Sequence, residues 1–221
     1  MYNSVIISLD GNIGSGKSTF INIIKEKRPD YHVLDEPVAN WEQTTDTDGT
    51  NLLEKFYTDQ SRWSYTFQNF AYITRLKALK QALSENHKII ITERSIFTDR
   101  NIFATMLYED GKMSELEWKI YNSWFDSFKI DVDGIVYMNT IPDICKDRIT
   151  TRNRDGEDQI EFSYLNRLHT KHLEVFTNQE NVLELTGEND FIKNQNFQDE
   201  MLSQVDEYIN ILFEKKYGKN I

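Results

Sequence analysis

Short apolar, β-branched runs alternate along this chain with longer stretches whose apolar residues recur at helical spacing. The runs at 5–9 (VIISL), 31–34 (YHVL), 88–92 (KIIIT), 134–138 (GIVYM) and 181–185 (NVLEL) predict five short, buried strands. The intervening pattern predicts helices over 17–27, 52–57, 61–85, 97–107, 114–126, 142–151, 162–177 and 198–215. Strands that alternate with helices in this way imply an α/β fold, a five-stranded, mostly parallel sheet with helices on both faces. No Pro/Gly/Ser linker and no repeat of fixed period divides the sequence, so residues 1–221 read as a single domain. Two polar stretches, 42–50 and 151–159, read as mobile connections. The Asp46/Asp48 pair lacks the glycine and terminal glutamate of a calcium loop, and calcium is rejected there.

Composition narrows the classes. Apolar residues are 39% and charged residues 28%, enough for a real core and too apolar for a disordered chain. A net charge of −11 argues against a duplex-binding or membrane-surface protein, both of which need basic faces. The single cysteine, Cys145, cannot form an internal disulfide. No run reaches the ~20 apolar residues of a membrane span, and no leader pattern is seen, so a soluble cytoplasmic chain is expected. His169 and His172 lack companion ligands and are expected on a solvated helix face, not at zinc.

The strongest local signal is Gly11-Asn12-Ile13-Gly14-Ser15-Gly16-Lys17-Ser18, followed by Thr19, which fits the phosphate-binding pattern G-x-x-x-x-G-K-[ST]. It follows a predicted strand and opens a predicted helix, so backbone amides and a helix N-terminus converge on phosphate. Lys17 is placed for the β- and γ-phosphates and the Ser18 hydroxyl for Mg²⁺. A phosphate loop alone does not separate GTPase, ATPase and small-molecule kinase. The absence of an N-K-x-D guanine motif and the arginines late in the chain favour transfer of phosphate to a small acceptor.

Four further motifs occur in order. They are Glu36-Pro37-Val38-Ala39-Asn40-Trp41, then 62–68 (RWSYTFQ), then Glu93-Arg94-Ser95 with 99–104 (DRNIFA), and Arg148-x3-Arg152-x-Arg154-x2-Glu157. With the phosphate loop they resemble the deoxynucleoside kinase family, which includes deoxycytidine, deoxyguanosine and mitochondrial thymidine kinases. Asn40 departs from the arginine common in that family, and residues 152–160 have their own wording.

The resemblance implies a P-loop kinase fold with a short arginine-rich lid over 148–160. It also implies transfer of the γ-phosphate of ATP, or of another NTP, to the 5′-hydroxyl of a deoxynucleoside in nucleotide salvage. Glu36 matches the general base; alone it reads as a loop carboxylate. Arg94 and Lys17 match the groups on the transferred phosphoryl, and Ser18 and Glu93 the Mg²⁺ position. Arg148, Arg152 and Arg154 match lid arginines on the phosphates; compensation of a helix C-terminal dipole is the lesser alternative for the i, i+4 pair. Tyr57 and Glu157 match the pair on the sugar 3′-hydroxyl. Phe67 and Phe103 match the base sandwich; alone they read as core packing. Gln68 can pair with a base edge, while Val38 and Trp41 belong to the pocket wall.

Ala71, Arg75 and Asp99 resemble the deoxycytidine and deoxyguanosine kinases, favouring deoxycytidine and purine deoxynucleosides over thymidine. Asn189, Asp190 and Phe191 match the donor-base loop. A homodimer and dNTP feedback inhibition are also implied. The Trp118/Tyr121/Trp124/Phe125 stripe is compatible with a dimer, but such a stripe is more often core.

Overall fold

A computed structural model describes residues 3–152, 157, 160–177 and 179–218. Five strands, β1 (Val5–Asp10), β2 (His32–Leu34), β3 (Ile89–Glu93), β4 (Gly134–Asn139) and β5 (Val182–Thr186), form one sheet of order β2-β3-β1-β4-β5. Every pairing is parallel. Each strand lies within a residue or two of its expected position, because each is a short apolar, β-branched run with no competing helical period. β1, β3 and β4 are buried as expected, whereas the edge strands β2 and β5 have one open side and are only partly buried.

The strand residues alternate between two cores. Val5, Ile7 and Leu9 on β1, with Ile89, Ile91, Val136 and Met138, pack against Phe20, Ile21 and Ile24 of α1 (Lys17–Lys27). The same layer takes Met201, Val205, Ile209 and Leu212 of α10 (Gln195–Tyr217). Ile6 and Ile90 face the other way, onto Leu79, Ala82 and Leu83 of α4 (Gln60–Ser84). Ile135 and Tyr137 meet Leu168 and Phe176 of α9 (Phe162–Phe176) on that same side. Helices therefore cover both faces, as the sequence pattern implies.

Two helical regions depart from expectation. A short helix, α2 (Val38–Gln43), follows Glu36-Pro37, where the sequence pattern predicts none. Six residues with a proline at the N-cap carry too little periodicity to be seen. The helix expected over 97–107 is broken into α5 (Ile96–Thr98), a π-helical turn (Asp99–Ala104) and α6 (Thr105–Glu109). The wider turn buries Asp99, Ile102 and Ala104 together. The remaining helices, α3 (Leu52–Thr58), α7 (Glu115–Phe128) and α8 (Pro142–Arg152), stand where expected.

The stretch 42–50 is tied down rather than loose. Thr45 and Asn51 form an antiparallel bridge, and Lys55 lies 3.1 Å from both Asp46 and Asp48. His172 corrects the expectation of a solvated pair: it is fully buried, its Nδ1 is 2.6 Å from the Leu168 carbonyl, and its ring stacks on Tyr137 at 5.9 Å. It shares the inner stripe of α9 with Leu165, Leu168 and Phe176, and burial lowers its pKa to about 3. His169 stays partly exposed. Tyr121 and Phe125 join the core while Trp124 is half exposed, so the α7 stripe divides between the two readings. Among the described residues no helix is long and apolar enough to cross a membrane.

Gly134 starts β4 under α10. A Cβ there would lie 2.4 Å from the Tyr208 hydroxyl and 2.5 Å from Leu212 Cδ1. That hydroxyl cannot retreat easily, since it donates to the Asn181 carbonyl at 2.6 Å and accepts from the Ile135 amide at 3.3 Å. Gly134→Ala is expected to lower unfolding free energy by about 1–3 kcal/mol, the usual cost of overpacking. Urea unfolding checks it, and unchanged stability would contradict this packing.

Candidate active site

The phosphate loop is shaped by glycines at positive φ. Gly14 has φ +78°, and a Cβ there would sit 2.4 Å from the Cys145 carbonyl. Gly16 (φ +102°) caps α1 and lies against Phe191 and Arg148. Asn12 and Ser15 are buried. The Asn12 amide pins the loop by donating to the Leu165 carbonyl and accepting from the Ile13 amide.

Lys17 is 4% exposed, with Nζ on the Asn12 carbonyl at 2.6 Å. Burial, and then the neighbouring Arg94 charge, lower its pKa to about 7. The Ser18 hydroxyl donates to Glu93 Oε1 at 2.7 Å. A hydroxyl and a carboxylate beside the loop are hard oxygen donors of the kind Mg²⁺ takes.

Beyond the loop, three elements bring charges together. Glu36 follows β2, Arg75 lies on α4 and Arg94 ends β3. Both guanidiniums reach Glu36 Oε1 at 2.5 Å. Burial would raise the Glu36 pKa, but the Arg94 and Arg75 charges outweigh it and hold the carboxyl well below the usual range. Arg75 also places Nε 2.7 Å from Asp99 Oδ2 and donates to the Glu93 carbonyl at 2.9 Å. Asp99 itself is raised to about 6, because burial outweighs its attraction to Arg75.

Arg94 has φ +59°, unusual for a side-chain-bearing residue and costing about 1–3 kcal/mol. Its amide donates to the Leu9 carbonyl and its own carbonyl accepts from Thr92 Oγ1, which holds the strained turn in place. The turn carries the guanidinium to Glu36 and over the Phe103 ring, 4.9 Å from its centroid.

One cleft is lined by Lys17, Ser18, Glu36, Val38, Trp41, Tyr57, Phe67, Gln68, Ala71, Arg75, Glu93, Arg94, Asp99, Phe103, Arg152 and Glu157. Every acceptor-side residue named from sequence is on this wall. Gln68 is buried with an unpartnered Oε1. Phe56 stacks on one face of Phe67 at 4.4 Å, and Trp41 meets the same ring in a T-shaped contact at 5.2 Å. Leu53, Phe56 and Tyr164 also line the wall and were not foreseen. Phe56 adjoins Tyr57 in one aromatic pair, which was the available signal; Tyr164 had none.

A second cleft is lined by Gly14, Gly16, Lys17, Ser18, Thr19, Arg148, Arg152, Asp190 and Phe191, with Asp147, Thr151 and Ile192 added. Gly14, Lys17, Ser18 and Arg152 line both clefts, which therefore meet at the phosphate loop. Arg148 donates to the Ser15 carbonyl at 3.0 Å, and Arg152 pairs bidentately with Glu157. Phe191 is 3% exposed with its ring edge-on to Phe20, so little of that ring is open to a base. Arg154 and the lid positions 153, 155, 156, 158 and 159 lie outside the described residues.

The profile described as deoxynucleoside kinase matches residues 7–210. The chain belongs to the deoxynucleoside kinase family. It is 43% identical over 218 residues to a probable deoxycytidine kinase of fowlpox virus, covering 94% of this chain and 89% of that one. It is 39% identical to human deoxycytidine kinase over 75% of this chain and 73% of the other. A mitochondrial deoxyguanosine kinase of Xenopus laevis is 35% identical, over 92% and 89% of the two chains. This deoxynucleoside kinase is accordingly an ATP-dependent phosphotransferase. Its two clefts meet where a donor and an acceptor would have to.

In the kinase without nucleotide, Lys17 binds fewer protons when folded than when unfolded between pH 7 and 10.5. Stability attributable to Lys17 therefore rises with pH across that window. The stability difference between wild type and Lys17→Met should move in favour of wild type by up to about 1.4 kcal/mol per pH unit between pH 7 and 9. Urea unfolding at a series of pH values measures it, and a flat difference would contradict the lowered pKa.

Proposed function

We propose that this deoxynucleoside kinase binds its acceptor in the Glu36–Arg75–Asp99 cleft and ATP, or another NTP, in the Arg148–Asp190 cleft. The carrying observation is the sharing of Gly14, Lys17, Ser18 and Arg152 between the two clefts. The acceptor 5′-oxygen attacks the γ-phosphorus, the bond to the β–γ bridging oxygen breaks, and the hydroxyl proton passes to Glu36. A strongly ionised Glu36 is a weak base at rest, but the transition state is loose and needs little proton abstraction before the new bond forms. Its main work is to orient the hydroxyl. Lys17 and Arg94 face the charge that develops on the phosphoryl oxygens. Mg²⁺, held by the Ser18 hydroxyl and the Glu93 carboxylate, would supply neutralisation of phosphate charge. Arg148 and Arg152 close the donor side and exclude water.

On the acceptor side, Tyr57 and Glu157 hold the sugar 3′-hydroxyl, Gln68 pairs with the base edge, and Phe67 and Phe103 flank the ring. Asp99 accepts from an exocyclic amino group, which cytosine and adenine offer and thymine lacks. The preference is therefore for deoxycytidine and purine deoxynucleosides over thymidine. The relatives named deoxycytidine and deoxyguanosine kinase support that preference. The enzyme works as a homodimer and is inhibited by its dNTP end product. Exposed Ile73, Ile120, Trp124 and Phe128 on α4 and α7 support the dimer as a face that a second copy could cover.

Glu36→Gln keeps one side-chain oxygen that can accept from Arg75 and Arg94, as Glu36 Oε1 does, while removing the base. Turnover should fall roughly 10²–10⁴-fold with deoxynucleoside binding nearly intact. Coupled kinase assay and calorimetry test this on folded protein; near-normal turnover would remove Glu36 from the chemistry.

Specificity is best tested without touching Arg75, since Arg75 also holds Glu36. Ala71→Val with Asp99→Ala should raise the thymidine-to-deoxycytidine ratio of kcat/KM roughly 10–100-fold, as an unpaired buried polar group costs about 1–3 kcal/mol. An unchanged ratio, or a wild-type enzyme that prefers thymidine, would overturn the assignment.

A further inference from the structure

Away from the clefts, at the opposite end of the strands, two imidazoles and a carboxylate gather on the surface. His32 opens the edge strand β2, directly across from Ile90 of β3. Glu85 is the C-cap of α4, and His87 lies two residues on. Asn86 between them has φ +60°, the left-handed turn that brings Glu85 and His87 to the same side. His87 Nε2 and Glu85 Oε2 are 2.9 Å apart. The His32 and His87 rings stack at 3.7 Å and 13°.

We propose that His32, Glu85 and His87 form a Zn²⁺-binding site. One ligand atom from each residue lies within 4.8 Å of the others. A tetrahedral Zn²⁺ with bonds of about 2.0–2.2 Å wants ligand atoms about 3.4 Å apart. Two nitrogens and one carboxylate oxygen are a zinc donor set that leaves a fourth position for water. The stacked rings hold their in-plane nitrogen lone pairs parallel, so ligation requires the partly exposed His87 to rotate out of the stack while exposed Glu85 follows.

The backbone around the site is already fixed. Ser4 Oγ donates to the His87 carbonyl at 2.6 Å, and the Val5 amide donates to the Lys88 carbonyl at 2.8 Å. Gln81 Nε2 donates to Glu85 Oε1 at 3.2 Å, orienting the carboxylate from one turn back. A metal would take the place of the His87–Glu85 contact and of the His32–His87 ring stack. The carbonyl end of the 25-residue helix α4 adds a favourable field for a cation. Burial and the neighbouring His87 lower the pKa of His32, which favours the neutral, ligating form. Bound metal would clamp the edge strand, the end of α4 and the start of β3 together.

The experiment is a Zn²⁺ titration of the chelator-stripped full chain against a chromophoric competitor, with millimolar-scale Mg²⁺ excess to occupy hard-oxygen sites. One equivalent of Zn²⁺ should bind. His32→Ala and His87→Ala should each weaken binding at least about tenfold, the lower bound seen even for outer-shell partners. Glu85→Gln, a surface change that leaves the fold alone, should weaken it too, with kinase turnover unchanged. Free Zn²⁺ a hundredfold above Kd should raise Tm by roughly 5–10 °C in wild type and not in the double variant. Equal affinity in wild type and His32→Ala/His87→Ala would place the metal elsewhere and overturn the proposal, as would no stoichiometric binding.

Discussion

Arg75 is the interaction on which the site depends. It is 6% exposed, and it reaches Glu36, Asp99 and the Glu93 carbonyl from a single guanidinium. A buried cation is tolerated only with such partners, and removing one from a buried pair typically costs about 3–5 kcal/mol. Its helix also supplies Leu79 and Leu83 to the core under the sheet and Phe67, Gln68 and Ala71 to the cleft. Core packing on one stretch of α4 thereby sets the position of polar groups on another. Glu36 and Asp99, proposed for acceptor activation and base choice, are thereby held by that one residue.

The cleft proposed for the donor is locally basic in an enzyme of net charge −11. Lys17, Arg148 and Arg152 concentrate positive charge on one wall, where a low-dielectric surround strengthens it. A Lys17 pKa near 7 in the kinase without nucleotide is the mark of that surround, and phosphate would restore the lysine to its charged form. Arg94 sits in a left-handed backbone conformation at the strand end, a strain that the Leu9 and Thr92 hydrogen bonds hold in place. Strain of that kind lies at the junction between sheet and chemistry, where the side chain must turn into the cleft.

Much of this was legible in the sequence, for physical reasons. Parallel strands read as short, largely apolar runs, and all five were found, although the edge strands β2 and β5 are only partly buried. The phosphate loop announces itself because only glycine fits the turns at Gly14 and Gly16. The acceptor-side residues were found through resemblance to a family motif by motif; composition and period would have left Phe67, Phe103 and Glu36 as ordinary core and loop. What stayed hidden arises only from tertiary packing. The π-helical turn that buries Asp99 has no local signature. Burial of His172 depends on α9 laying its stripe on Tyr137, and the bond from Arg75 to Glu36 joins residues 39 apart. The His32–His87 stack likewise joins two separate strand starts.

The central claim is that one buried ionic cluster divides its charge unequally, holding Glu36 ionised and leaving Asp99 the more easily protonated. Carboxyl ¹³C NMR of the ligand-free chain, followed from pH 3 to 8, tests it directly. The account predicts that Glu36 remains ionised after the other glutamates have titrated, while Asp99 titrates near pH 6. Glu36 titrating with the bulk glutamates and Asp99 with the bulk aspartates would contradict it.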